Sequence, residues 1–127
     1  MHRRLGCADL RSVGEVRRAL RELLRTWDGP DTADVAQLLA SELVTNALIH
    51  TGHGAVVTAT VASSTLRVEV RDFVPGLPEP DAPGRRREAL DIHGRGLVLV
   101  ESLADSWGVR TQSAGKVIWF ELHEHPA

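Results

Sequence analysis

The sequence predicts an α+β two-layer sandwich, a mostly antiparallel, mixed sheet with about three helices on one face. Three observations predict it. Apolar residues recur at helical spacing in two successive stretches of the N-terminal part. Two later stretches alternate apolar and polar residues on either side of small polar turns. The resulting order, helix, helix, hairpin, loop, helix, hairpin, lets an antiparallel sheet gather its helices on one side. A chain of 127 residues buries roughly two-thirds of its unfolded surface on folding, so residues 1–127 are expected to form a single domain.

A short strand is expected around residues 4–8. Ser12 followed by Glu15 makes a capping box, and Val13, Val16, Leu20, Leu23, Leu24 and Trp27 then recur at helical spacing, predicting a first helix over residues 13–27. Arg17, Arg18, Arg21 and Arg25 fall largely on its outer side, as a solvated face. Asp28-Gly29-Pro30 ends that helix, because proline cannot continue it. Asp31, with Asp34 three residues on, caps a second helix that runs to about His50, where Thr51-Gly52-His53-Gly54 stops it. Residues 56–61 and 66–71 read as an antiparallel hairpin turning at Ser63-Ser64, with Asp72 at the end of its second strand. Over residues 73–93 periodicity vanishes, and Pro75, Gly76, Pro78, Pro80, Pro83 and Gly84 break regular structure. Structureless loops longer than about 12–15 residues usually serve as lids or binding loops, which predicts a lid here. Gly94-Arg95-Gly96 leads into a third helix carrying Leu97, Val100, Leu103 and Ala104. A last hairpin, residues 107–111 and 117–122, turns at Ser113-Ala114-Gly115.

Composition narrows the function classes. A formal charge of −2 argues against a general nucleic-acid binder, and 43% hydrophobic with 25% charged residues is ordinary for a globular protein. Lys116 is the only lysine among 15 basic side chains. Cys7 is the only cysteine, which excludes an internal disulfide and predicts a reducing cytoplasm. Arg3-Arg4 and Leu5-Gly6-Cys7 look superficially like export and lipidation signals, but no apolar stretch accompanies them and no run approaches the ~18 apolar residues of a membrane span. Neither a membrane nor secretion is expected.

The chemistry concentrates in SELVTNALIH, residues 41–50. A helix turns about 100° per residue, so Glu42, Asn46 and His50 line one face at i, i+4 and i+8. Val35, Leu38, Leu39, Leu43 and Ile49 lie on or beside that face, while Val44 and Leu48 make the opposite side apolar too. This predicts a helix buried nearly all round, with Glu42 and Asn46 pointing into a core. An unpartnered polar group there costs about 1–3 kcal/mol, so either neighbouring backbone or a ligand must satisfy the two. His50-x-x-His53 has metal-pair spacing but no third ligand at suitable distance, so a helix-end histidine is the better reading.

Glu42 and Asn46 on a helix, Asp72 at a strand end, a glycine pair opening a helix and Gly115-Lys116 before a last strand stand in a particular order. Together they resemble the ATP-binding boxes of the GHKL, or Bergerat-fold, ATPase superfamily. The likeness is greatest to the short anti-sigma-factor serine/threonine kinases, through ELVTNALIH and GKVIWFEL, and it covers nearly the whole chain. The resemblance implies ATP and Mg²⁺ as cofactors, with Asn46 as a Mg²⁺ ligand and Glu42 as the base that takes the proton from an attacking hydroxyl. It implies that Asp72 accepts from the adenine amine, although an aspartate at a strand end also bonds turn backbone. Gly94, Gly96 and Leu97 would present N–H groups at a helix start to phosphates, with Arg95 either a second charge there or simply exposed. His50, Gly76 and Lys116 complete the implied nucleotide site, and Arg85-Arg86-Arg87 reads as solvated lid surface. The implied partners are an anti-sigma-factor antagonist and a sigma factor, with a homodimer as a candidate assembly; a nucleotide-holding module that sequesters its partner without catalysis is the alternative. Two positions depart from the family pattern. Val74-Pro75 stand in the first glycine box, and Val117 replaces a hydroxyl residue, each predicting weaker adenine binding.

Overall fold

In the computed structural model the described residues are 2–5, 11–27, 30–51, 55–72, 94–112 and 115–124. They comprise β1 (His2–Leu5), α1 (Arg11–Leu23), α2 (Pro30–Thr51), β2 (Ala55–Ala62), β3 (Thr65–Asp72), α3 (Gly94–Leu103), β4 (Ser106–Gln112) and β5 (Gly115–His123). The five strands form one sheet in the order β1-β2-β3-β5-β4, and every described pairing is antiparallel. The two-layer α+β expectation holds.

Alternation builds the core. Val57 and Ala59 of β2, Leu66, Val68 and Val70 of β3, and Ile118, Phe120 and Leu122 of β5 are buried on the helix-bearing face. Val16 and Leu20 of α1 and Leu39, Leu43, Val44 and Leu48 of α2 close over them, joined by Val100 of α3. α1 packs on α2, and α3 packs on both α2 and β4. Several boundaries differ from the sequence reading. β1 lies at residues 2–5 and gains its order by pairing with β2, while residues 6–8 of the expected strand lie outside the described residues. α1 opens at Arg11, so Ser12 sits in its first turn instead of capping it, and the chain leaves the helix after Leu23. Pro30 is the first residue of α2, the helical position where its missing N–H is no loss. Gly94 and Gly96 belong to α3 itself, and Gly115 is the first residue of β5, opposite Gln112.

The β2–β3 turn is the two-residue loop expected, with Ser63 at φ 51° and Ser64 at φ 60°. Two positive φ values match the right-handed twist of the flanking strands. Ser64 O also accepts from the Glu124 amide at 2.8 Å, which ties the turn to the end of β5.

The other sheet face is polar. Arg67 pairs with Glu121 at 3.1 Å and Glu69 at 3.4 Å, Arg110 pairs with Glu69 at 3.2 Å, and the Arg67 guanidinium lies 4.2 Å from the Trp119 ring centroid. Trp119 sits directly opposite Gly108 across β4 and β5. A Cβ on Gly108 would stand 2.7 Å from the indole Nε1 and under 3 Å from two ring carbons. With the ring held by Arg67, little relief is available. Gly108→Ala is therefore expected to cost about 1–3 kcal/mol and to shift tryptophan emission. Unchanged denaturant unfolding and emission would mean the indole is free to move aside.

Candidate functional site

α2 supplies the first part of the site. Its exposed stripe runs through Asp31, Asp34 and Leu38, and continues into half-buried Glu42, Thr45 and Asn46. Leu38, one turn before Glu42, is 41% exposed. Glu42 and Asn46 therefore do not point into the core: the sheet and α1 cover the opposite side of α2, leaving this face partly open. Neither side chain has a hydrogen-bond or ion-pair partner among the described residues. Their neighbours do. Gln37, only 5% exposed, donates to Ala33 O at 3.2 Å and accepts from Arg21 at 3.2 Å, and the Ser41 hydroxyl donates to Gln37 O at 2.6 Å. Gln37 is a buried polar residue that the sequence reading missed; its i, i+4 spacing to Ser41 was the available signal.

The end of β3 supplies the second part. Asp72 is 2% exposed, and its Oδ1 accepts from the Lys116 backbone amide at 3.1 Å. Lys116 is 7% exposed, with Nζ 4.0 Å from Asp72 Oδ2. Both of the backbone-bonding and ligand-facing readings of Asp72 thus have a physical basis, since a carboxylate retains acceptor capacity after one such bond. Gly115, at φ 147°, occupies a region that favours glycine and sets Lys116 into β5 beside Asp72. The β3–β5 register pairs Arg71 with Val117, so alternation puts Val117 on the opposite sheet face from Asp72 and Lys116. A hydroxyl at position 117 would not face Asp72.

Chain connectivity brings the two parts to one end of the domain. Ala55 is the register partner of Asp72, and only three residues separate it from the end of α2 at Thr51. Four residue steps span at most about 14 Å. Gly94, Arg95, Gly96 and Leu97 form the first turn of α3, where N–H groups have no acceptor within the helix and the dipole favours an anion. The side chains of His50, Arg95 and Leu97 lie outside the described residues. So do Gly76, His53 and the whole 73–93 stretch expected as a lid. Among the described residues no group of three or more His, Cys, Asp or Glu side chains is placed to hold a metal, and no helix is long and apolar enough to cross a membrane.

Burial is the largest influence on the Asp72–Lys116 pair. It raises the Asp72 carboxyl above its ordinary value of 3.8, opposed by the Lys116 charge and amide, and lowers the Lys116 ammonium below 10.5, opposed by the Asp72 charge. For Asp72 the folded state holds the proton more firmly, so its stabilising contribution is complete below 3.8 and is lost as pH rises through the folded value. For Lys116 the contribution is complete above 10.5 and is lost as pH falls through the folded value. Both losses fall at intermediate pH. The double variant Asp72→Asn/Lys116→Met, which keeps an acceptor for the Lys116 amide, is expected to gain stability relative to the parent as pH rises from 3.8 towards neutrality. Urea unfolding across that range measures it; a relative loss would show the charged pair to be a net stabiliser.

A family model described as the histidine kinase-like ATPase domain matches residues 7–122. Among solved structures, the nucleotide-free catalytic domain of the histidine kinase ThkA is similar in two crystal forms. These share 20% and 19% identity at TM-scores of 0.53 and 0.55, each over 100% of this chain and 99% of the other. The Acinetobacter baumannii histidine kinase AdeS aligns with 98% of this chain and 68% of its own at 14% identity and a TM-score of 0.51. At these identities the likeness is one of fold. No curated protein shows significant similarity to the chain.

Proposed function

The chain belongs to the histidine kinase-like ATPase family, and on that premise we propose that it binds ATP with Mg²⁺ and acts as a serine/threonine kinase on an anti-sigma-factor antagonist, with a sigma factor as its second protein partner. One observation carries this reading. Glu42 and Asn46 stand one helical turn apart on the partly open stripe of α2 with no side-chain partner among the described residues, while Gln37 and Ser41 just before them are hydrogen-bonded. Polar groups left half-buried and unpaired are those a ligand can satisfy.

The residues fit the proposed ligands. The Asn46 amide oxygen is a hard donor suited to Mg²⁺, which when bound neutralises phosphate charge. The first turn of α3, Gly94 to Gly96, offers backbone N–H groups without a Cβ at the two glycines. Asp72 supplies an acceptor for the base, with Lys116 beside it, and Arg95, His50, Leu97 and Gly76 are assigned supporting contacts. In the transfer step a partner serine or threonine oxygen forms a bond to the γ-phosphorus, the bond from that phosphorus to the ADP oxygen breaks, and Glu42 accepts the hydroxyl proton. Residues 1–127 then work as one domain, with 73–93 as its lid. The serine/threonine assignment is supported by the likeness of ELVTNALIH and GKVIWFEL to the anti-sigma-factor kinases.

The Val74-Pro75 departure in the first glycine box favours a second reading, a nucleotide-holding module that sequesters its partner without transfer. Nucleotide titration by calorimetry, with and without Mg²⁺, tests what the two readings share. ATP is expected to bind more tightly with Mg²⁺, and no heat from ATP or ADP under either condition overturns both.

A further inference from the structure

We propose that Thr45 is a positioning residue for Glu42: its hydroxyl donates to one carboxylate oxygen and leaves the other aimed at the partner's hydroxyl. The inference rests on the kinase reading above and deepens it with a residue to which the motif resemblance gives no role. Thr45 is half-buried on α2, and its side chain has no hydrogen-bond partner among the described residues. Its hydroxyl is not sealed in the core either. A serine or threonine in a helix can turn its hydroxyl back onto the carbonyl one turn earlier. Ser41 does so, donating to Gln37 O at 2.6 Å. Thr45, one turn further on, makes no such bond, and its donor stays available on the stripe that carries Glu42.

Helix geometry places the three side chains in order. At about 100° per residue, Thr45 lies about 60° to one side of Glu42 and Asn46 about 40° to the other. Asn46 adjoins the closed margin of the stripe, where Leu39 and Leu43 are buried, whereas Thr45 stands on the open side with Leu38, which is 41% exposed. Mg²⁺ and phosphate are assigned to the Asn46 side of Glu42, so a partner hydroxyl arriving from solvent meets the side that Thr45 occupies. Helix side chains lean toward the N-terminus, which carries the Thr45 hydroxyl back over the turn of Glu42, at the i, i+3 spacing where side chains meet. The branched side chain has few rotamers, so a bond from it holds the carboxylate at small entropic cost. A carboxylate that accepts one hydrogen bond still has lone pairs for the proton it takes. Catalytic hydrogen bonds are often completed only when substrate is bound, and Glu42 and Thr45 stand here before that step.

Steady-state transfer from ATP with Mg²⁺ to the antagonist domain that the parent phosphorylates tests the proposal on the whole chain. Thr45→Val, which keeps the branched shape and removes the donor, is expected to lower kcat by about 10- to 100-fold, the scale of a hydrogen bond to a charged group. The KM values for ATP and for the antagonist domain are expected to stay at the parent's. Thr45→Ser, which keeps the hydroxyl, is expected to recover most of the loss. The double variant Glu42→Gln/Thr45→Val is expected to lose no more than Glu42→Gln alone, because a residue that acts through Glu42 then has nothing left to orient. Thermal melts establish that each variant is folded, and Thr45→Ala carries the same expectation should the valine variant melt early. A Thr45→Val kcat equal to the parent's overturns the role. So does a loss confined to ATP affinity, or a double variant whose loss is the product of the two single losses; in each case the separate loss in Glu42→Gln leaves the kinase reading intact. A parent that transfers to no antagonist domain overturns the kinase reading itself, and this role with it.

Discussion

Glu42→Gln is expected to lower γ-phosphoryl transfer to a partner hydroxyl by about 10²–10⁴, the usual cost of losing a general base, while nucleotide affinity stays close to the parent's. Glutamine keeps the length and most of the hydrogen-bonding shape of glutamate but cannot take the proton. The fold should be indifferent, because Glu42 is half-buried on the open stripe of α2 and has no side-chain partner among the described residues whose loss would orphan a buried group. The assay compares parent and variant at saturating ATP on candidate antagonist domains, with affinity measured separately. Two outcomes overturn the role. A variant that transfers at the parental rate removes Glu42 from the chemistry. A parent that binds ATP and grips a partner yet transfers nothing promotes the sequestering module.

What the sequence could show of this site was decided by the range of the interactions. The β2–β3 hairpin was legible because its information is local: alternation in each strand and a two-residue turn at Ser63-Ser64. α2 was legible as a helix but not in its exposure. Leu38 and Leu39 are the same residue type on adjacent positions, yet Leu38 is 41% exposed and Leu39 fully buried. Which side the sheet covers is a tertiary fact, and the apolar count alone therefore predicted a helix buried nearly all round. The Glu42–Asn46 spacing could be read, whereas the open face beneath it could not.

Long-range pairing hid the rest. Asp72 and Lys116 could each be named from motif order, but they lie 44 positions apart, and only the β3–β5 register reveals that they meet. The same register sets Val117 on the sheet face opposite Asp72, because a linear motif gives residue order and a strand assigns residues to alternate faces. Gln37 and Arg21 likewise meet across 16 positions between two helices. Gly108 and Trp119 offered no signal at all: a glycine in a strand marks close approach only when its cross-strand partner is known.

Asn46→Ala is expected to abolish the Mg²⁺-dependent part of nucleotide affinity, a loss of at least about 10- to 100-fold on the scale by which even groups that merely support metal ligands matter, with no loss of stability. The two halves of that expectation have one origin. Asn46 is half-buried and has no partner among the described residues, so truncation at the site leaves no described donor or acceptor stranded. Alanine is also the better helix former in the body of α2, which favours an equal or slightly higher melting temperature. A core asparagine satisfied by backbone would behave in the opposite way, because its removal strands its partners at about 1–3 kcal/mol and leaves any response to Mg²⁺ unchanged. Titrating ATP with and without Mg²⁺ against parent and variant, beside a thermal melt of each, separates the cases. A variant that melts lower and still responds to Mg²⁺ like the parent removes Asn46 from the site, and with it the observation on which the ATP reading chiefly rests.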